Sequence, residues 1–172
     1  MKTIQKSYAA FEAVFNTWQN ALTNYKEADL SKRLSEDSWT LGQVYVHLIN
    51  STLNFHIKQV NLCLNSSDNK DSKKNFKGIL AFNILNGFPP IKIKVPPTET
   101  YTPKHPANKQ ELLDGFERVK LGMNECQTKF NSNQQGKTAH PAFAFLNAVE
   151  WFRIVDMHWR HHLRQKSELD AI

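Results

Sequence analysis

Glycine and cysteine are both scarce in this chain of 172 residues, with 6 and 2 copies. Cys63 and Cys126 match no Cys-x-x-Cys or zinc-ribbon spacing and sit in helical patterns, so two buried free thiols are expected rather than a disulfide. There is no Gly-rich phosphate loop, no Gly-x-Ser-x-Gly elbow and no Cys–His pair of catalytic appearance. No apolar run is long enough to cross a membrane, and Met1-Lys2-Thr3-Ile4-Gln5-Lys6 lacks the apolar stretch of a signal peptide. A cytoplasmic protein is expected, with no membrane partner. Proline is missing from most of the chain, because six of the 7 copies fall between Pro89 and Pro106. Few glycines and one proline cluster suit long helices with a single defined break. The formal charge of +6 is scattered along the chain and forms no basic block. Together with the lack of an aromatic-plus-basic strip or a helix-turn-helix pattern, this argues for a solvated surface and against a nucleic-acid partner.

Aromatic residues are plentiful, with 11 Phe and 4 Trp, so one domain over residues 1–172 can build a sizeable core. From Ser7 to Lys26, Phe11, Val14, Phe15, Trp18, Leu22 and Tyr25 recur at steps of three and four, which predicts an amphipathic helix. A polar break, Glu27 to Ser38, precedes a second helix. Thr40 with Gln43 makes a capping box there, and Trp39 with Val44 takes the staple positions around it. The pattern then runs through His47, Leu48, Ser51 and Phe55 to about Leu64. Residues 65–108 form a long connection. Its middle, Phe76 to Leu85, reads as a short helix or an apolar flap, and the prolines after it predict extended chain. Lys109 to Phe130 is helical again. After a polar break from Asn131 to Thr138, Asn147 as N-cap, Glu150 at N3, and Leu146 with Trp151 as staple mark the last helix.

Four long amphipathic helices without a convincing strand series predict an all-α protein, a four-helix bundle. The long proline-containing connection between helices two and three lets those two run parallel, in up-down-down-up order.

Five of the seven histidines fall on the second and last helices. A pair at i and i+4 projects from one helix face with roughly 6 Å between Cβ atoms and can grip one ion, which a third histidine from a neighbouring helix would complete. On the last helix His158 and His162 differ by about 40° in azimuth, and His161 lies about 60° to the other side. A metal geometry would use His158 with one of the other two. His47 shares its face with Gln43, Ser51 and Asn54, a polar stripe that predicts a wet pocket inside the bundle. His56 is about 180° around the helix from His47, too far to share an ion. His105 is expected to be exposed, and His140, before Pro141, to order a loop.

The stretch Trp39-Thr40-Leu41-Gly42-Gln43-Val44-Tyr45-Val46-His47-Leu48 resembles the "W-[ST]-x-x-Q-v-x-x-H-l" signature of the DinB/YfiT superfamily. His140-Pro141-Ala142-Phe143, Trp151 and His158-x-x-His161-His162-x-x-Gln165 are similar to the C-terminal signature of one of its subgroups, "HPxFGxLtxeeWxxlxxxHxxHHxRQ". The resemblance spans nearly the whole domain. It implies an up-down-down-up bundle holding a divalent ion, usually nickel or zinc, on three histidines. By position these are His47, His158 and His162, with His161 left at the rim. Ala144 stands where the subgroup has Gly, and Lys166-Ser167 replaces its Phe-Gly. Characterised members of the wider superfamily include thiol-cofactor-dependent transferases and a maleylpyruvate isomerase, while others are described as metal-dependent hydrolases.

Three neutral imidazoles would leave the ion its charge and at least one open position, where a water or a low-molecular-weight thiol would be acidified. Glu150 is accounted for as a cap, and Asp156 points away from His158 by about 160°, so no carboxylate stands ready as a base. That favours thiol-dependent transfer or isomerisation of a small-molecule substrate over hydrolysis, with non-catalytic metal or ligand binding as the remaining alternative. Ser51 and Asn54 are expected to face the substrate, Gln165 to line the site or orient a ligand, and the Phe76–Leu85 segment to cover it in part. Bundles with exposed apolar faces commonly dimerise, so a homodimer is also expected.

Overall fold

The start of each long helix is written in its capping residues. In the computed structural model, which describes residues 2–88, 102–130 and 135–172, helix α1 runs Lys2–Asn24 and is followed by a 3-10 turn, Glu27–Ser31. Helix α2 spans 41–64. Thr40 Oγ1 accepts from the Gln43 backbone N–H at 3.2 Å, and Gln43 Oε1 accepts from that of Thr40 at 2.8 Å. This is the reciprocal capping expected from the sequence. Helix α3 spans 76–85 and ends at Asn86, whose left-handed φ of 45° turns the chain away. Helix α4 is Lys109–Thr128, capped by Asn108, and helix α5 is Ala148–Asp170, capped by the Asn147/Glu150 box. The extended chain expected at Pro89-Pro90 and Pro96-Pro97 lies outside the described residues. Among the described residues no helix is long and apolar enough to cross a membrane.

Inside α2 the six residues Ser51–His56 form a π-helical stretch between the α-helical Leu41–Asn50 and Ile57–Leu64. Ser51 and Thr52 both turn their hydroxyls back onto the Leu48 carbonyl, at 3.2 and 2.8 Å. Hydroxyl back-bonding of this kind disturbs the regular ladder. The wider turn absorbs about one extra residue, or about 100° of helical phase.

The four long helices meet around a core of interlocked rings. Phe15 packs on Phe116 and Trp159 with centroids 5.0 and 5.7 Å away, and Trp18 meets Tyr45 edge-on at 5.0 Å. Each such ring contributes roughly 4–6 kcal/mol of gross burial before the cost of ordering it. The polar atoms of these rings are satisfied: Trp18 Nε1 donates to the Trp159 carbonyl, Tyr45 Oη to the Trp18 carbonyl and Trp159 Nε1 to Thr52 Oγ1. Tyr25, just past α1, bonds Asp170 at the end of α5, whereas Lys109 at the start of α4 donates to the carbonyls of Thr23 and Tyr25. Gly115 on α4 lies so close to α2 that a Cβ there would stand 2.6 Å from Ile49 Cδ1. Cys63 and Cys126 are buried free thiols, as expected.

One element was not legible in the sequence. Lys137–His140 (β1) and Ala144–Asn147 (β2) pair antiparallel as a small sheet, so the protein is mostly helical but not purely so. Four residues per strand are too few for an alternation to register. The turn is a three-residue loop in which Phe143 N–H donates to the His140 carbonyl, followed by Ala144 in the left-handed region at φ 60°. Such loops favour Gly at that last position.

Alanine pays roughly 1–2 kcal/mol in left-handed backbone, against about 0.5–1 kcal/mol of extra chain entropy for Gly. Ala144→Gly is therefore expected to stabilise the fold by about 0.5–1 kcal/mol in urea unfolding. A loss of stability would show that the strain is relieved elsewhere.

Candidate metal centre

Trp159 fixes which face of α5 looks at α2. With its indole buried among Phe11, Phe15 and Phe116 and bonded to Thr52, the neighbouring His158 and, one turn on, His162 are turned toward His47. His158 Nε2 lies 3.0 Å from His47 Nε2 and 3.2 Å from His162 Nε2, and the ligand atoms of the three all lie within 4.8 Å of one another. Among the described residues this is the one group of three or more potential metal-binding side chains so placed. Trp39, the first residue of the N-terminal motif, packs at a tilt against the His47 ring, centroids 4.9 Å apart.

The far nitrogens set the tautomers. His162 Nδ1 faces the Gln165 amide oxygen at 2.9 Å, so Nδ1 carries the proton and Nε2 the lone pair. His158 Nδ1 lies 3.4 Å from Ser51 Oγ, which also bonds the Leu48 carbonyl, so the outer nitrogen is engaged and Nε2 is left facing the other two rings. The Nε2 atoms of His158 and His162 lie 3.2 Å apart. His47 can donate to only one of them, whereas a metal ion satisfies all three. Donors each about 2.1 Å from one ion lie at most about 4.2 Å apart, and the two separations from His158, 3.0 and 3.2 Å, fall within that reach.

Protonation is not a competing solution. Burial, reinforced by the neighbouring His162, pulls His47 down to about 3. Burial and the ring of surrounding imidazoles hold His158 well below the ordinary range, and burial takes His162 to about 4 against the opposing pull of its Gln165 bond. The cluster is neutral at physiological pH, which is the form a metal needs.

The other expected residues divide. Ser51 and Gln165 touch the cluster as described. Gln43 spends its amide on Thr40 and on the Pro103 carbonyl, at 2.8 and 2.7 Å, and so serves the cap and the incoming chain. Asn54 is exposed, on the turn that the π stretch rotates outward. His161 is half-buried, its ring 5.3 Å from that of His162 and 5.6 Å from that of Phe88. His105 is exposed, and His140 accepts from the Ala142 N–H within the hairpin loop. Segment 76–85 packs by Phe82 on Phe143 and Arg153, so the residue that reaches the histidines is Phe88, 6.2 Å from His158.

His56 is where the helical-wheel reading fails. It is buried, with its ring 5.4 Å from His158. The π stretch removes about 100° of phase and brings it from about 180° to about 80° from His47. Burial pulls it down to about 3, and among the described residues its Nδ1, like Trp151 Nε1, has no hydrogen-bond partner. No regular period could have signalled this.

Comparisons with known proteins agree with the architecture. The family model of the DinB superfamily matches residues 10–165. No curated protein matches the chain. The crystal structure of TT2238, a four-helix bundle protein, is similar over 96% of this chain and 98% of that one, with a TM-score of 0.64 at 18% identity. That likeness concerns the fold alone.

In the ion-free protein the folded state keeps His47, His56 and His162 unprotonated down to about 3, about 3 and about 4, whereas the unfolded chain protonates them near 6.5. The unfolded state binds more protons throughout that interval. Stability should be complete above about pH 6.5 and fall as pH drops toward about 4. Urea midpoints measured across that range should decline. A flat profile would contradict the buried, neutral cluster.

Proposed function

The chain belongs to the DinB superfamily, and from that membership and the histidine geometry we propose a divalent-metal-dependent protein acting on small molecules. His47, His158 and His162 would hold the ion through Nε2, Gln165 and Ser51 would orient the last two rings, and nickel or zinc suits the all-imidazole donor set. The observation that carries this reading is the convergence of three histidine ligand atoms, with His158 Nε2 3.0 and 3.2 Å from the other two, in a partly buried setting. Bound there, the ion supplies Lewis acidity to a small-molecule thiol or water at its remaining position. The up-down-down-up order belongs to the same reading and is supported by the pairings Tyr25–Asp170, Thr23–Lys109 and Ile49–Gly115.

Thiol-dependent transfer or isomerisation is the favoured chemistry. Among the described residues no carboxylate joins the cluster: Glu150 is engaged by Lys74 and its capping role, and Asp156 by Arg160. A thiol is acidic enough to react without a separate base. Metal-assisted hydrolysis is the second reading and draws on His56, an uncharged imidazole 5.4 Å from His158 with an unpartnered Nδ1.

The purified protein is expected to take up about one divalent ion per chain, measured by elemental analysis after dialysis. His47→Ala, His158→Ala and His162→Ala should each abolish tight uptake, Gln165→Ala should weaken it about 10- to 100-fold, and His105→Ala should leave it unchanged. One ion per chain in the triple alanine variant would sink the assignment. With cobalt bound, small thiols should produce an intense sulfur-to-metal charge-transfer band. Silence toward thiols, with ester hydrolysis lost in His56→Phe, would establish the hydrolase reading instead.

A further inference from the structure

One short helix carries much of the apolar surface that the fold leaves open. Helix α3 is fastened to the body along a single face. Gly78 packs so closely on the hairpin loop that a Cβ there would stand 2.9 Å from the Phe143 carbonyl oxygen, and Phe82 meets the Phe143 ring at 5.7 Å. Asn75, at its start, donates to the Phe143 and Ala142 carbonyls at 3.1 and 3.0 Å. At its far end Arg153 donates to the Phe82 carbonyl and to Asn86 Oδ1, at 3.0 and 2.7 Å. With both ends and one face tied, the helix is a fixed ridge.

The opposite face is apolar as well. Phe76, Leu80 and Ile84 recur at steps of four, which keeps them within about 40° of one another in azimuth and about half a turn from Gly78 and Phe82. Phe76 is 77% exposed and Ile84 69%, the two highest values among the large hydrophobic side chains of the described residues. On the flanks Ile79 and Leu85 are 44% and 48% exposed. An amphipathic surface helix would carry polar residues there, and α3 carries a second apolar stripe instead. Together the four side chains expose on the order of 400 Å², the size at which an apolar patch on a monomer is often functional.

Size and charge point to a second copy of the chain as the cover. Two such patches face to face would bury roughly 800 Å² of apolar surface, and a polar rim of half that area brings the interface to roughly 1,200 Å², the lower end of the range for stable complexes. Lys73 and Lys77, both exposed, lie at the start of α3, and the other end of the stripe carries the uncharged Asn83 and Asn86. Antiparallel pairing about a two-fold axis therefore sets the lysines of each copy beside the asparagines of the other. The two lysine pairs then stand roughly a helix length apart, about 15 Å, beyond the reach of screened repulsion.

We propose that the exposed face of α3 is the contact surface of a homodimer, with Phe76 of one copy packed against Ile84 of the other and Leu80 at the axis. The proposal is independent of the metal reading.

The test uses the full chain, freed of metal ions so that the histidines cannot bridge two copies. Sedimentation velocity between about 1 and about 100 µM should show a monomer–dimer equilibrium. Phe76→Ser combined with Ile84→Ser should weaken the dimer by about tenfold or more. The urea midpoint of the dilute protein should stay unchanged, because both side chains already face water in the monomer. Leu121→Ser, which removes a leucine 60% exposed on α4, should alter neither quantity. Oxidation of the Leu80→Cys variant should yield a disulfide-linked dimer, since Cys63 and Cys126 are buried and stay out of the reaction. A chain that remains monomeric at about 100 µM overturns the proposal, and so does a dimer that survives the α3 substitutions but dissociates on Leu121→Ser. Binding of a monomeric chain through Phe76 and Ile84 to vesicles of phosphatidylcholine and phosphatidylglycerol would assign the face to a lipid surface and overturn it equally.

Discussion

The rotation of α5 about its own axis is the constraint on which the site depends. Trp159 is fully buried, T-shaped against Phe11 and Phe116 and hydrogen-bonded through Nε1 to Thr52. A large planar side chain with one donor can satisfy both demands in a single orientation. Once it is seated, residues one position before and three after must face α2, and those are His158 and His162. The residue one position after, Arg160, is sent to the surface, where it meets Asp156 and the Asn86 turn. One buried indole thus sorts its neighbours into a histidine pair on one side and an anchored cation on the other.

Burial then acts on the histidines in two ways. It removes water from the imidazoles, so protonation is disfavoured and the lone pairs stay available. It also leaves polar atoms that water would otherwise satisfy, and the protein meets that demand on the far nitrogens with Gln165 and Ser51. The inner nitrogens are left facing one another. A partly buried cluster in which the outer nitrogens of His158 and His162 are engaged and the inner nitrogens converge has little stability of its own to gain from that arrangement. It is an arrangement that a cation completes.

How much of this could be read from the chain varied with the kind of signal. Capping boxes at Thr40/Gln43 and Asn147/Glu150 were legible because they depend on residue identity at fixed spacing, and both form as read. The convergence of His47, His158 and His162 followed from helical periodicity on α5 and from the resemblance that paired the two motifs. His56 was misplaced because the Ser51–His56 stretch departs from the 3.6-residue period that every wheel assumes, and nothing in Ser-Thr-Leu-Asn-Phe-His announces a π turn. The hairpin was hidden by the brevity of its strands, although Ala144, where the subgroup signature the sequence resembles has Gly, is the hairpin residue whose backbone is left-handed. Phe88 and Arg160 lacked any sequence signal, since their meaning comes from the turn at Asn86 that brings them together.

The electrostatic character of the site follows from what surrounds it. All three converging donors are neutral, and among the described residues the nearest acids are already committed, Asp156 to Arg160 and Glu150 to Lys74. A divalent charge placed there would remain largely uncompensated by the protein, and in a partly buried setting that charge acts at short range with little screening. Anionic ligands are then favoured over neutral ones at the ion itself.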